Sequence, residues 1–219
     1  MKTNFLEFAK DILIEAFFQT LYMTAVATIF ATIIGFIIAI TLVITDSNGL
    51  RPNKKLNDVL GGIINTVRSF PFIILMVAII PLTRFIVGKA IGVNAALVPL
   101  TIGAAPFIAR VIESALKEVD KGLIEAAKSF GASDFQIIFK VMIKEAMPSI
   151  VSGITLSTIS ILGYTAMAGA VGAGGLGAVA LTYGYQKFDT SVMLYTVIIL
   201  IVIVQLIQCI GNLAYKKLK

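Results

Sequence analysis

Histidine and tryptophan are absent from these 219 residues, and cysteine occurs once, at Cys209. Without histidine there is no imidazole metal ligand and no Ser-His or Cys-His catalytic pair, and one cysteine cannot close an internal disulfide. Charge is scarce as well. Only 14% of residues are charged and 58% are apolar, against about 25% and 45–50% in a soluble domain. A monomer of this size cannot coat itself with so little polar surface, and a mean hydropathy of +0.97 agrees. The chain reads as a membrane protein. Its net charge of +6 would point to nucleic acid in a soluble protein; in a membrane protein it reports orientation, so no nucleic-acid partner is expected.

Long apolar runs are what the chain does have. A membrane-crossing helix needs roughly 20 mainly apolar residues. Phe17 to Ile44 carries no charge; Asp58 to Arg84 is interrupted only by Arg68, with Pro71 close after it. Ala90 to Ala109 is uncharged but contains Pro99 and Pro106, and Thr190 to Tyr215 ends before Lys216, Lys217 and Lys219. Ala146 to Gln186 is too long for one span. The reading is an all-α, polytopic protein with five spans at about 17–44, 58–82, 92–113, 148–171 and 190–213, a polar segment at 117–147, and a basic tail at 214–219. The first span is too long for the apolar core of a cleaved signal peptide, about 7–15 residues. Residues 1–16 hold Phe5, Phe8, Ala9, Ile12 and Ala16 on one helical face. That pattern fits either a short interfacial helix or a ragged start to the first span.

Five spans place the termini on opposite sides, and the basic residues choose the orientation. Arg51, Lys54 and Lys55, six residues from Arg110 to Lys144, and the three lysines of the tail make twelve on one side; Lys2, Lys10, Arg84, Lys89 and Lys187 make five on the other. The positive-inside bias puts the C-terminus and the 117–147 segment in the cytoplasm and the N-terminus outside.

Acidic residues are almost missing from the spans; Glu113 alone comes close, near the cytoplasmic end of the third. Ion-coupled transporters keep ionisable groups near mid-membrane, so a self-powered transporter is disfavoured. Arg68 costs about 2.5–3.5 kcal/mol if central; it either snorkels to the cytoplasmic interface or faces a pathway. Gly172, Gly174 and Gly177 match G-x-G-x-x-G, but no strand precedes them and no acidic residue follows at the required distance, which excludes a dinucleotide site. No phosphate-binding G-x-x-x-x-G-K-[ST] loop is present either. The small residues from Gly163 to Ala173 instead fit close helix packing in a bilayer, which would place the fourth span at the bundle centre. Gly174 to Gln186 would then lie flat or re-entrant under protein cover. Met167 is the bulky side chain in this small-residue stretch, open to two readings: packing against a neighbour, or a flexible plug in a pathway.

The segment 117–147 encodes two short helices. Asp120 caps the first, with Leu123, Ala126, Ala127 and Phe130 on its apolar face, and Gly131 ends it. Ser133 and Gln136 form a capping box that starts the second, with Asp134 in its first turn. That second helix is expected to run through Ile137, Ile138, Val141 and Met142 until Pro148 interrupts it. So small a protrusion buries little by itself, and its apolar face needs either a protein partner or the membrane surface.

Glu125, Ala126, Ala127, Gly131, Val141 and Ile143 resemble the E-A-A-x3-G-x9-I-x-L-P motif of ABC importer permeases, with Lys144 in place of the final proline. Over residues 66–195 the chain resembles the membrane subunit of methionine importers. The likeness runs through Arg68 to Ile74, Ile80 to Arg84, Val98 to Arg110, Gly163 to Gly177 and Tyr183 to Tyr185. The resemblance implies a type I importer fold and a bacterial cytoplasmic-membrane location. It implies a homodimer of this subunit, two ATP-binding subunits seated on the cytoplasmic coupling segments, and an extracytoplasmic substrate-binding lipoprotein. It also implies that ATP and magnesium belong to the partner ATPase, with no cofactor bound by this chain. Glu125, Ala126, Ala127 and Gly131 would serve docking, Met167 a gate, and Arg68 and Pro71 the shape of the path. The alternatives are the same machine for another small solute, a stand-alone channel, and an intramembrane Ser-Lys hydrolase. The hydrolase would need a lysine at span depth, and the spans hold none.

Overall fold

The computed structural model describes residues 9–219, with side chains from residue 11 onward. Residues 1–8 of the expected interfacial helix lie outside the described residues; 9–16 run unbroken, through a π turn at Ala9–Leu13, into α1 (Ile14–Thr45). Along α1 the buried positions Met23, Ala27, Ala31, Gly35 and Ala39 recur every fourth residue, which puts them on one helical face. That face lies on α5 (Val93–Lys117) and makes the most extensive interface between helices. At Gly35 an added Cβ would come within 3.0 Å of Ala105 O, Ala109 N and Ile108 Cγ2, so the two backbones approach as closely as glycine allows.

One expectation about the second span is corrected. Instead of one helix over 58–82, α2 (Lys54–Ser69) stops, and α3 (Phe72–Ala78) leaves at 105° to it. Pro71 lacks an N–H and drives Phe70 into the extended region (ψ 131°), so the helix breaks at the proline. A further short helix, α4 (Ile80–Val87), carries Pro81 in its first turn and ends at Gly88 with φ +76°.

After α6 (Lys121–Ser129), α7 runs through Asp134–Ala170. It starts at Asp134–Gln136, passes a π stretch at Ile137–Met142 and continues as Ile143–Ala170 with Pro148 inside. The expected interruption at Pro148 is therefore absent: α7 carries its proline as α5 carries Pro99 and Pro106. Membrane helices tolerate proline where neighbouring groups and local changes of helical pitch satisfy the freed carbonyl. Helix α7 ends at Ala170, so Gly172 is not on a helical turn as expected; it and Gly174 both hold positive φ (+88° and +85°) in a tight elbow. The elbow turns the chain into α8 (Gly175–Val179) and a π stretch at Ala180–Gln186.

Close approach between α7 and α8 does rest on small residues. A Cβ at Gly177 would fall 2.4 Å from Ala166 O, and one at Gly169 2.4 Å from Ala178 N. The first amides of α8 find partners on α1: Gly175 N–H donates to Gln19 Oε1 (2.8 Å) and Leu176 N–H to Thr20 Oγ1 (2.8 Å). Last comes α9 (Thr190–Leu218), capped by Asp189, which accepts from Ser191 N–H and Val192 N–H. Its surface is mostly exposed and apolar, as a lipid-facing helix requires.

Among the described residues four helices are long and apolar enough to cross a membrane, and the bent α2–α3 pair makes a fifth if counted as one span. The most buried of them is α5, not the fourth span, because α5 is packed by α1, by α7 and by the broken helix together.

Gly177→Ala should therefore lower the thermal stability of the detergent-purified protein by about 1–3 kcal/mol, the usual cost of overpacking. An unchanged unfolding midpoint would show that the α7–α8 approach has slack.

Candidate functional site

Two regions hold the residues singled out from the sequence: the tip formed by α6 and the start of α7, and a cavity at the break between α2 and α3. At the tip, Asp120 caps α6 by accepting from Gly122 N–H (2.6 Å). Gly131 ends it with φ +76°, its N–H donating to Lys128 O. The Ser133–Gln136 capping box is present in both directions, with Ser133 N–H donating to Gln136 Oε1 (2.9 Å). Among the described residues none of α6 is fully buried, and only one side of it rests on the protein, through Ile124 and Ala127. Ala126 and Gly131 are exposed, and Glu125, also exposed, stands on the side of α6 that carries Lys121, Ile124 and Lys128. Beside them Phe130 is 91% exposed and Phe135 64%, and Phe135 stacks on Phe139 with ring centroids 4.4 Å apart. Lys144, at the position of the motif proline, is exposed on a continuous helix.

The roots of this tip are tied down by charge. Glu113 is 5% exposed and accepts from Arg110 Nη1 (2.7 Å) and Lys117 Nζ (2.9 Å). Burial of an ionised carboxylate is tolerable only with such pairing. Lys117 also reaches Asp46 Oδ2 (2.7 Å) in the loop after α1, and Arg51 of the same loop donates from Nε to Asp134 Oδ2 (2.6 Å). From α5, Arg110 Nη2 donates to Asn65 Oδ1 (3.2 Å) and Gly61 O (3.4 Å) of α2. A cavity of about 600 Å³ opens between this loop and α6, with Asp46, Lys117, Lys121, Glu125 and Lys128 in its walls. Hydrogen bonds from the Lys117 ammonium and then from Asn48 N–H hold the Asp46 carboxyl below its ordinary value of 3.8.

Arg68, Pro71 and Met167, chosen separately from the sequence, line one second cavity of about 600 Å³. In its wall Phe72 stacks almost parallel on Tyr164 (4.6 Å, 10°), and the Arg68 guanidinium lies 5.9 Å from the centre of the Phe107 ring. Met167 is half exposed at the rim. The cavity thus has aromatic and thioether walls with one cation at its edge, a lining suited to a small molecule with an apolar part. Reading the sequence missed Phe107 and Tyr164 as walls. Tyr164 lies three residues before Met167, a spacing that puts both on one face of α7, and that signal could have found it. Nothing local marks Phe107, which enters through the packing of α5.

The chain matches the family model described as "Binding-protein-dependent transport system inner membrane component" over residues 31–219. It is 50% identical over 202 residues to the probable D-methionine transport system permease protein MetI of Vibrio cholerae, covering 92% of this chain and 90% of that one. Against the methionine import system permease protein MetP of Bacillus subtilis, identity is 53% over 201 residues, with the same coverage. A solved structure of the MetNI methionine ABC transporter in inward-facing conformations contains a chain that superposes with TM-score 0.95 at 42% identity, covering 100% of both chains.

The Asp46 contact gives a pH signature. A carboxyl held low in the folded state stabilises above its unfolded pKa and loses that contribution as pH falls through the folded value. Asp46→Asn should therefore unfold at lower temperature than the native protein at about pH 5–8, and the gap should close below about pH 3. A gap that stayed constant would assign the effect to packing and not to the charge.

Proposed function

This chain belongs to the family of binding-protein-dependent transport system inner membrane components, and from that premise we propose that it forms the path by which methionine crosses the cytoplasmic membrane. It is a permease subunit and not an enzyme, as its relatives are permeases. The observation that carries the mechanism is the exposure of α6, where Glu125, Ala126 and Gly131 are open to solvent and Phe130 is 91% exposed. A helix this short, with one side free, needs a partner surface. In this reading the partner is an ATP-binding subunit, which holds the nucleotide and magnesium. Two copies of the permease pair around one path, and a substrate-binding lipoprotein delivers methionine from outside. The termini lie as the basic residues place them, with the C-terminus in the cytoplasm.

Closure of the ATPases on ATP moves the two α6 segments together and swings the bundle from inward-open to outward-open. Met167 acts as the gate: its flexible thioether sits at the rim of a cavity that already has aromatic walls. Pro71 sets the break that opens that cavity, and Arg68 supplies its cationic edge. A path that carries a zwitterion needs such a polar point in an otherwise apolar wall.

Labelled methionine should accumulate in proteoliposomes that contain this subunit, its ATPase and its binding protein, in an ATP-dependent manner. ATP hydrolysis without methionine uptake would overturn the substrate assignment and favour another small solute. Glu125→Arg should abolish co-purification of the ATPase, since it reverses the charge of the one exposed carboxylate on α6. Retention of the ATPase by that variant would remove α6 as the docking element.

A further inference from the structure

We infer that the loop between α1 and α2 is a crosspiece that carries the movement of the α6 segment to the broken helix α2–α3, with Arg51, Asp46, Lys117, Glu113 and Arg110 as its positioning residues. This rests on the importer reading above and adds a route for the motion within the subunit. Helices α5 and α7 are joined covalently to the α6 segment and must follow it. No such covalent tie reaches α2, yet α2 leads into Pro71 and carries Arg68, two residues of the pathway cavity. Among the described residues α2 buries only Ile64. Packing therefore grips it weakly, and another connection has to move it.

Two ion pairs supply the first connection, and both come from one short loop. Asp46 grips Lys117 just before the segment and Arg51 grips Asp134 just after it, so the loop brackets both roots of residues 118–133. The loop is not a slack tether. Arg51 N–H and Asn53 N–H donate back to Ile44 O and Thr45 O (3.0 Å each), and a Cβ at Gly49 would fall 2.4 Å from Val43 O. Its far end is built into α2, because Asn53 caps that helix at Leu56 N–H and Asn57 Nδ2 donates to Leu42 O (2.8 Å). A loop folded this tightly transmits displacement and does not absorb it.

The buried Glu113 supplies the second. It joins Lys117, at the root of the segment, to Arg110, and Arg110 continues to Asn65 and Gly61 of α2. Asn65 is three residues from Arg68, on the same side of the helix. The chain of polar contacts thus runs from the docking segment to one turn from the cavity. In the low dielectric around Glu113 these contacts are strong and directional.

Arg51 and Asp134 are accessible enough to test this without unfolding the protein, since an exposed ion pair adds little to folding stability. The assay uses the full transporter in proteoliposomes and reads methionine imported per ATP hydrolysed. Arg51→Glu should leave assembly and basal ATP hydrolysis as in the native complex, yet lower the import ratio by about fivefold or more. The swap Arg51→Glu with Asp134→Arg should restore it. Asp46→Asn should lower the same ratio through the other root. An unchanged ratio in Arg51→Glu, or a swap that fails to recover, would overturn the crosspiece, since a clamp with a purely structural role changes assembly and not stoichiometry. Failure of the native complex to import methionine would instead count against the importer reading.

Discussion

Close approach of helix backbones is the constraint on which everything else here depends. In a bilayer the lipid tails are as apolar as leucine, so burying an apolar side chain between helices gains little; association comes from tight van der Waals contact. The stripe Ala27, Ala31, Gly35 and Ala39 on α1 meets the small residues of α5, and Gly169 and Gly177 do the same between α7 and α8. With α1 and α5 locked, the remaining elements are positioned relative to that pair. Elbow, broken helix and α6 segment each hang from one of its ends.

Polar groups then have to be satisfied inside this packed frame. The buried hydroxyls of Thr20, Thr24 and Thr45 donate to carbonyls one turn back on their own helix. The amides that open α8 would be orphaned at an internal helix start, and Gln19 and Thr20 receive them. Glu113 is the most demanding case, a carboxylate at 5% exposure, and it is stabilised by two cations whose other contacts lie on different elements. That arrangement turns a local electrostatic requirement into a mechanical link between α5, the loop after α1, and α2.

Much of the tip around α6 was legible before any coordinates, because capping is local chemistry. Asp120, Gly131, Ser133 and Gln136 act at the positions where their side chains or backbone freedom predict. The break at Pro71 and the continuity through Pro148 were not legible, although both residues are prolines. Phe70 before Pro71 is half exposed and free to become extended, whereas Ala146 and Ile150 around Pro148 are held in the core. The same residue type breaks one helix and is carried by another, and the surrounding packing makes the difference. Likewise the small residues up to Ala173 read as helical from spacing alone, while the positive φ of Gly172 and Gly174 follows from the need to turn α8 back against α7.

Composition and run length settle the class and locate the apolar segments, since these depend only on sums and periods along the chain. Local signals go one step further and place the caps of α6 and α7. Three-dimensional packing decides the rest. It brings Arg68, Pro71 and Met167 to one cavity across two helices, adds Phe107 from a third, and pairs Arg51 with Asp134 over a separation of 83 residues. No sequence period encodes such meetings. They arise because two helices with small faces approach closely enough to fix where every other side chain ends.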